Sequence, residues 1–404
     1  MMAIYRLLIS IFALITLAKA LVSGKFSDAG ERLGFGGPRP KGPHIWLHAA
    51  SNGELASSLP VITELQEKRP DLSIFVTCNT ATGVALARAL GYAAVLAPLD
   101  LRHALRSFWK GRDFVAHITM EAELWPNRVL IAPFPTLVLG ARMTENTAKG
   151  WGRFPKLAER VLTNIQWVSG QDAASLDRLS QLGLPQDARG PVADLKAYYD
   201  PQTLPKRDPQ IVADYPRAVT WLAASTHEGE EEIILDAHVK ARRINPELRL
   251  ILAPRHPHRA DQIAEMIAEK GLDCARRSTG DSHAASVLLA DTMGEMPNWY
   301  RQAGRVFIAG SLTDRRGHTP YEPAYFGCAL IHGPDTGNFA SAYERLAQNN
   351  AAICVENADQ LAEALASLDA ESAQEKVGIA AQNALRAVTN IDGLVSDLVA
   401  QLPE

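Results

Sequence analysis

The chain has 404 residues, of which 47% are hydrophobic and 21% charged, so it is long enough for two packed domains and too apolar for a disordered protein. Its formal net charge of -4 gives no sign of a nucleic-acid-binding surface. The four cysteines form no CxxC pair and the histidines match no metal-binding spacing, which predicts reduced thiols, a cytosolic body and no metal site.

The amino terminus is apolar, and Leu7 to Ala18 carries no charge. The run is short for a spanning helix, so a tilted span and a helix lying in the membrane interface are both open. Arg6 before the run and Ala18-Lys19-Ala20 after it also resemble a cleavable signal peptide. Basic residues concentrate after the segment, which favours a cytoplasmic body. We therefore predict a membrane anchor over residues 1–24.

Residues 25–199 form the first predicted domain, in which strand-like and helix-like segments alternate from Pro43 to about Gly170. This alternation predicts a parallel sheet covered by helices on both faces, which is an α/β, doubly wound, Rossmann-like domain. The predicted strands are Ile45 to Ala50, Ser73 to Cys78, Ala94 to Ala97, Phe114 to Thr119, Thr136 to Gly140 and Gln166 to Ser169.

A proline-rich stretch over residues 200–216 is the predicted linker, and the alternation then starts again. Residues 217–404 therefore form a second predicted Rossmann-like domain, and a ligand is expected in a cleft between facing strand ends. Its predicted strands are Ala218 to Ala224, Leu248 to Ala253, Val287 to Ala290, Arg305 to Gly310, Ala329 to His332 and Ala351 to Val355.

The stretch HAASNGELASSLP, His48 to Pro60, places Glu54 where the first predicted strand ends and a helix begins. Ser51 or Asn52 can cap this helix, which continues to about Arg69. Near the positive end of the helix dipole, the carboxylate is expected to stay ionised. The local pattern fits a dipole-compensating glutamate, while the strand end is also where open α/β sheets bind ligands.

In ITMEAELWPN, Glu121 and Glu123 follow the strand that ends near Thr119. Two carboxylates so close to a buried strand end are costly unless they bind something, although a capping or ion-pair role fits the spacing equally. In STHEGEEE, Ser225 or Thr226 can cap a helix and expose N–H groups to an anion.

Two clusters in the second half carry charge at strand ends. In APRHPHR, Arg255 can fork onto a phosphate, or the cluster is only a surface turn. In AGSLTDRRGHTPYEP, backbone donors near Gly310 and Ser311 and at the helix that Pro320 starts can hold a phosphate, while Glu322 can accept ribose hydroxyls. Neither GxGxxG nor GxxxxGK[ST] follows a first strand, so dinucleotide oxidoreductases and P-loop enzymes are disfavoured.

The motifs HAASNGE, MEAELWPN, ASTHEGEE, PRHPHR, DTMGE, and GSL followed by GHTPYEP occur in one order along the chain. This series resembles that of the Kdo transferases, which move 3-deoxy-D-manno-octulosonic acid (Kdo) onto the lipid A precursor. The resemblance extends over almost the whole chain, including GERLGF at Gly30 to Phe35. It implies a GT-B fold and inverting, metal-independent transfer from CMP-Kdo to lipid A precursor at the cytoplasmic face of the inner membrane.

The resemblance also implies roles for particular residues. The family's catalytic base corresponds to Glu54, a second functional carboxylate to Glu121, and a lysine before the linker to Lys196. The positions that match the family's CMP contacts are Pro254, Arg255, Met293, Gly294, Glu295, Thr319, Pro320, Tyr321 and Glu322, to which the loop reasoning adds Ser311.

The chain departs from the family pattern at Asn52, Leu86, Leu99 and Thr319, where Val, Arg, Tyr and Asn are usual. The donor half is therefore closer to the family than the acceptor half. Another GT-B nucleotide-sugar enzyme, such as an epimerase, and a weakly active membrane-associated paralogue remain the alternative functions.

Overall fold

Two seven-stranded parallel sheets organise the protein, one in each of two units. The computed structural model describes residues 2–121, 123–199, 206–281 and 284–403. One unit comprises the residues up to Tyr198 together with those from Ala387 onward, and the other comprises Tyr199–Arg386. Residues 200–205 of the expected linker lie outside the described residues.

The first unit has the strand order β3-β2-β1-β4-β5-β6-β7. Its strands are β1 (Pro43–His48), β2 (Ser73–Cys78), β3 (Ala93–Leu96), β4 (Asp113–Met120), β5 (Thr136–Ala141), β6 (Trp167–Gly170) and β7 (Arg189–Val192). Its helices up to residue 181 are α1 (Met2–Val22), α2 (Phe26–Arg32), α3 (Asn52–Lys68), α4 (Ala81–Ala89), α5 (Arg102–Trp109), α6 (Pro126–Ile131), α7 (Glu145–Gly152), α8 (Pro155–Leu162) and α9 (Ala173–Gln181), and a 3₁₀ turn follows at Leu195–Tyr198.

The second unit repeats this plan with the order β10-β11-β9-β8-β12-β13-β14. Its strands are β8 (Thr220–Thr226), β9 (Arg249–Pro254), β10 (Cys274–Arg276), β11 (Val287–Leu289), β12 (Arg305–Ile308), β13 (Ala329–His332) and β14 (Ala352–Cys354). Its helices are α10 (Pro209–Asp214), α11 (Glu230–Ile244), α12 (Ala260–Glu269), α13 (Met296–Gln302), α14 (Tyr321–Tyr325), α15 (Ala340–Gln348), α16 (Ala358–Ser367) and α17 (Glu371–Leu385), with 3₁₀ turns at Arg217–Val219 and Pro257–Arg259.

All strand pairs in both sheets are parallel, so the carboxyl ends of the strands in each sheet share one edge. The strand order changes direction between β1 and β4 in the first unit and between β8 and β12 in the second, where β11 also lies between β9 and the edge strand β10. Crevices outside the carboxyl ends at such switch points are where open α/β sheets bind ligands. The doubly wound α/β prediction is confirmed.

The last helix, α18 (Ile391–Val399), belongs to the first unit, although the sequence pattern assigned residues 217–404 to the second domain. The chain returns because α18 buries Leu394, Val395 and Leu398 in the core cluster that also contains Leu55 and Ile62 of α3. Lys68 at the end of α3 donates to Asp392 at 2.6 Å. The actual domain boundary therefore differs from the expected one at the carboxyl terminus.

This connectivity predicts which unit a core mutation destabilises. Leu398→Ala is expected to lower the free energy of unfolding of the first unit by about 2 to 5 kcal/mol, because it opens a cavity at a fully buried site. Hydrogen exchange of peptides from each unit measures the effect. The matched control, Leu365→Ala in α16, should accelerate exchange in the second unit instead. Faster exchange of the second unit in Leu398→Ala would contradict the assignment.

Helix α1 packs along the first unit by one side and exposes apolar residues on the other. Ile9 and Ala13 are buried, and the Tyr5 hydroxyl donates to the Asp100 carboxylate at 2.6 Å. The opposite side exposes large apolar residues that include Leu7, Leu8, Ile11, Leu14 and Ile15. By length and composition, α1 is the one helix in the described ranges that could cross a membrane. One such helix is weak evidence of membrane association, and the packed face is compatible with a helix lying along a surface.

Candidate active site

Glu54 lies in the first turn of α3, directly beyond the carboxyl end of β1. Ser51 caps α3, because its side chain accepts the Glu54 N–H at 3.3 Å. The Glu54 carboxylate in turn accepts the Ala50 N–H at 2.8 Å. This reciprocal pattern is close to a capping box, and it fixes the carboxylate at the sheet edge. The expected cap at Ser51 or Asn52 is thus assigned to Ser51.

Burial raises the pKa of Glu54 to about 7. The Ala50 N–H and the ammonium group of Lys196 act in the opposite direction, while the charges of Glu121 and Glu123 raise the pKa further. The sequence predicted that this carboxylate stays ionised, whereas burial leaves it only partly ionised near pH 7. A carboxylate with a pKa near 7 has the proton affinity that a general base needs at that pH.

Glu121 and Lys196 form an ion pair beside Glu54. Glu121 follows β4, the neighbour of β1 at the switch point, and Lys196 follows β7 at the other edge of the sheet. The Lys196 ammonium lies 3.1 Å from Glu121 Oε1. Glu121 has a φ of 49°, a left-handed conformation that non-glycine residues adopt at a cost. The structure thus brings together all three residues that were assigned to catalysis from the sequence.

Glu123 has different surroundings from Glu121. Its Oε2 accepts from the indole N–H of Trp125, from Asn79 Nδ2 at 3.4 Å and from His48 Nε2 at 3.4 Å. Burial acts to raise its pKa, but these hydrogen bonds and the Arg128 charge outweigh burial and lower the pKa to about 2. Burial also lowers the pKa of His48 to about 4, so at neutral pH a neutral imidazole donates to an ionised carboxylate.

These contrasts separate the two carboxylates that the spacing alone left equivalent. Glu123 is an ionised acceptor held by three side chains, which suits a structural role. Glu121 is held by Lys196, whose charge also acts on Glu54.

An apolar cleft of about 480 Å³ adjoins Glu123 in the first unit. Helices α6, α7 and α8 form most of its wall, and Tyr5 of α1 closes one side. The large apolar side chains that line it are Leu124, Trp125, Trp151, Phe154 and Leu157. A cleft of this composition can accept hydrocarbon.

In the second unit, Glu230 occupies the switch point between β8 and β12. It is 0% exposed, and its carboxylate accepts the N–H groups of Gly310 (2.8 Å), Ser311 (3.1 Å), Leu312 (3.1 Å) and His227 (3.1 Å). The expectation that the Gly310 and Ser311 N–H groups are available to a phosphate is therefore wrong. Ser311 is also fully buried, and its hydroxyl donates to Ile308 O and accepts the Gly333 N–H.

Two histidines at the same point were given no role from the sequence. His227 and His318 are stacked with their ring centroids 5.1 Å apart, and their Nε2 atoms lie 2.9 Å from each other. Burial lowers the pKa of both rings, that of His318 to about 4, and the cationic side chains of Arg255 and Arg315 act in the same direction on His227. A pair of neutral rings can share one hydrogen bond while an outer nitrogen stays available to a ligand.

The predicted CMP contacts after β9 and β11 lie on the same unit. Pro254 ends β9, and Arg255 directly after it has an exposed side chain. Met293 is 70% exposed, and Gly294 adopts a φ of 84°, which glycine allows. Glu295 lies 2.9 Å from Arg277, and this guanidinium lowers the pKa of its carboxyl.

The last predicted contacts surround the start of α14. Thr319 Oγ1 accepts the Tyr321 N–H at 3.4 Å, and Pro320 is the residue before the first turn. The Tyr321 hydroxyl accepts from Arg345 at 2.6 Å. Burial raises the pKa of Glu322. Within the described ranges, no cluster of three or more His, Cys, Asp or Glu side chains could hold a metal ion.

Comparisons with known proteins give a matching family profile and several related sequences. The profile of the family described as 3-Deoxy-D-manno-octulosonic-acid transferase (kdotransferase) matches residues 27–198. A 3-deoxy-D-manno-octulosonic acid transferase of Haemophilus influenzae is 33% identical over 373 residues, which cover 88% of this chain and 86% of that protein. A probable mitochondrial 3-deoxy-D-manno-octulosonic acid transferase of Arabidopsis thaliana is 31% identical over 347 residues, covering 80% and 76% respectively.

Among solved structures, a putative UDP-N-acetylglucosamine 2-epimerase of Listeria monocytogenes has a similar fold. The TM-score is 0.61 at 11% identity, over 89% of this chain and 95% of that chain. Together with the two doubly wound sheets, this similarity confirms the predicted GT-B fold.

Proposed function

Because this chain belongs to the 3-deoxy-D-manno-octulosonic-acid transferase family, a family of glycosyltransferases, we propose that it moves Kdo from CMP-Kdo to a hydroxyl of a lipid A precursor. The observation that supports this proposal is the position of Glu54, a carboxylate with a pKa of about 7 at the switch point of the first sheet. Glu54 accepts the proton of the acceptor hydroxyl while that oxygen attacks the anomeric carbon of Kdo. The bond from this carbon to the CMP phosphate oxygen breaks in the same displacement, which inverts the anomeric centre.

Charge in the second unit supports a nucleotide donor. The negative charge that develops on the departing phosphate requires cations or N–H donors close by. Arg255 is an exposed guanidinium at the end of β9, next to the stacked histidines of the switch point. These cationic and hydrogen-bonding side chains give the proposed reaction a means of stabilising the leaving group without a metal ion.

Apolar surface in the first unit supports a lipid acceptor. The apolar cleft beside Glu123 fits hydrocarbon, and the exposed side of α1 fits a membrane surface. We assign the protein to the cytoplasmic face of the inner membrane, which matches the basic excess after α1 and the four free cysteines.

Incubation of the purified full-length chain with CMP-Kdo and lipid A precursor tests this function. We expect release of CMP together with a lipid product whose mass has increased by one or more Kdo residues, as read by mass spectrometry. Absence of CMP release with the precursor present would reject the transferase assignment. CMP release with an unchanged lipid mass would show donor hydrolysis and reject the acceptor.

A further inference from the structure

A second cavity of about 220 Å³ lies between α1 and the carboxyl ends of β2, β3 and β4, and we call it the α1 cavity. One wall comes from α1 and is mostly apolar. The opposite wall carries two arginines, an asparagine and the carboxylate of Asp100. The residues used below are Ile9, Phe12, Arg32, Asn79, Trp125 and Arg128.

Arg128 is the unusual member of this set. Its side chain is 2% exposed, and its Nε and Nη1 atoms are buried without a hydrogen-bond partner among the described residues. Its Nη2 makes one long contact, 3.4 Å to Pro98 O, and the guanidinium lies 5.2 Å from the centre of the Trp46 ring. Buried polar groups in proteins are nearly always hydrogen-bonded, and Arg128 also lines the cavity, so its incompletely paired guanidinium can donate to an acceptor placed there.

The nearby carboxylates do not supply that acceptor. Asp100 accepts the backbone N–H groups of Asn127 (2.9 Å) and Arg128 (2.7 Å) and the Tyr5 hydroxyl. Glu123 Oε2 is held by Trp125, Asn79 and His48. Both carboxylates lower the cost of burying the Arg128 charge, yet neither makes a hydrogen bond with its guanidinium.

Arg32 adds a second cation to the same wall. Its two terminal nitrogens donate to Ala97 O at 3.0 Å and Asn79 O at 2.5 Å, which fixes the guanidinium at the cavity. A phosphate suits two neighbouring guanidinium groups, because its oxygens accept several charge-assisted hydrogen bonds at once. With two arginines against the one lining carboxylate, Asp100, the wall keeps an excess of positive charge, which suits an anion.

The other wall indicates where the anion comes from. Ile9 and Phe12 of α1 face the cavity, and Phe12 is 51% exposed, so its ring reaches solvent on the apolar side of the helix. A free phosphate gains nothing from such a wall, whereas a lipid places hydrocarbon beside its head group.

We propose that the α1 cavity binds the phosphate of a lipid head group through the Arg128 guanidinium, with the acyl chains against α1. The inference rests on the proposed lipid acceptor. Trp125 and Asn79 line the cavity and also donate to Glu123, so the bound head group lies next to the strand ends that carry the acceptor-side carboxylates.

Binding of short-chain lipids to the full-length protein tests the site without any transfer reaction. Titration calorimetry compares dihexanoyl phosphatidic acid, dihexanoyl glycerol and inorganic phosphate. We expect phosphatidic acid to bind about tenfold or more tightly than the glycerol lipid, because only the former pairs with the guanidinium. Arg128→Gln should reduce this preference to about twofold or less. The matched control Arg106→Gln, an exposed arginine of α5, should keep it.

Three outcomes would overturn the site. These are equal affinity of the wild-type protein for both lipids, an unchanged preference in Arg128→Gln, and inorganic phosphate that binds as tightly as phosphatidic acid. If Arg128→Gln does not fold, Phe12→Ala at the half-exposed wall replaces it. Phe12→Ala should lower the affinity for both lipids equally and keep the preference for phosphatidic acid. Loss of that preference would contradict the assignment of Phe12 to the acyl chains and Arg128 to the phosphate.

The result is separable from the proposed transferase activity. A preference for phosphatidic acid in a protein that releases no CMP from CMP-Kdo would reject the transferase and retain the site. Kdo transfer by a protein without this preference would reject the site alone.

Discussion

Replacing Glu54 with glutamine is expected to lower kcat about a hundredfold to ten thousandfold, the range in which a positioned general base contributes. Glutamine keeps an oxygen that accepts the Ala50 N–H, so the start of α3 should be preserved. Affinity for CMP, measured by calorimetry, should be unchanged because its predicted contacts lie in the second unit. Glu67→Gln, at an exposed position of α3, is the matched control and should keep full turnover.

The pH dependence of the reaction gives an independent readout. The pKa of Glu54 is raised to about 7 by burial, so the fraction of ionised base falls as the pH drops through 7. The wild-type kcat should therefore fall about tenfold for each pH unit well below 7. The residual kcat of Glu54→Gln should not show this decrease. If the variant kept the wild-type kcat, or showed the same decrease of kcat at low pH, Glu54 would not be the base.

The same group makes a stability prediction of defined sign. The folded-state pKa is raised from 4.5 to about 7, so the free energy of unfolding falls as the pH rises from about 4.5 to 7, where the unfolded-state carboxyl is ionised and the folded one still binds its proton. At pH 8, Glu54→Gln should stabilise the first unit by about 1 to 2 kcal/mol, after allowance for the partial exposure of the carboxylate. Near pH 4 the two proteins should be equally stable. Urea unfolding at both pH values measures the two free energies of unfolding. A variant that is more stable than the wild type at pH 8 shows that ionised Glu54 destabilises the fold, whereas a structural carboxylate would stabilise it.

The local sequence pattern was sufficient to predict most of the strands and the start of α3. Buried parallel strands read as short apolar runs, and a capping serine before periodic apolar residues marks a helix start. The missed strands are β7 and β10. β7 contains Gly190 and Pro191, and β10 is the short segment Cys274–Arg276, which ends in a charged residue, so neither has the apolar composition of a buried strand. Their place in the sheets depends on neighbours that are distant in sequence.

Features that depend on the tertiary structure could not be predicted from the sequence. Residues 387–403 continue the second domain in sequence, but the apolar side of α18 packs in the core of the first unit. Arg128 was given no role from the sequence, and it is buried in α6, where its backbone N–H donates to Asp100. His227 and His318 lie 91 residues apart, and only the fold stacks them.

Glu230 is the clearest such case. It is the first residue of α11, after the N-cap Gly229, and its carboxylate accepts the His227 N–H. Nothing in the local sequence indicates that the same carboxylate also accepts three N–H groups from the loop after β12. The acidic run is typical of a solvated helix start, whereas Glu230 and Glu231 are both fully buried.

Glu230→Ala is expected to destabilise the second unit by about 3 to 5 kcal/mol, because it leaves four backbone N–H groups without an acceptor. The loop from Gly310 to Leu312 should lose its fixed conformation, and affinity for CMP should fall at least about tenfold with it. Hydrogen exchange of peptides covering residues 305–318 measures the first effect, and calorimetry with CMP measures the second. Glu228→Ala, two residues away and exposed, is the matched control and should change neither.

The glutamine variant distinguishes a positioning role from a chemical one. A glutamine side chain at this position would offer one acceptor oxygen and turn an NH2 group toward N–H donors, so Glu230→Gln should be destabilised to an intermediate degree. If Glu230 instead acted on substrate, Glu230→Gln would retain stability and CMP affinity and lose turnover. Because the carboxylate is 0% exposed and accepts four N–H groups, we expect affinity and stability to fall together. The loop after β12 therefore spends its backbone N–H groups on an internal carboxylate, and under the proposed function we expect the donor phosphate to pair with side chains such as Arg255 instead.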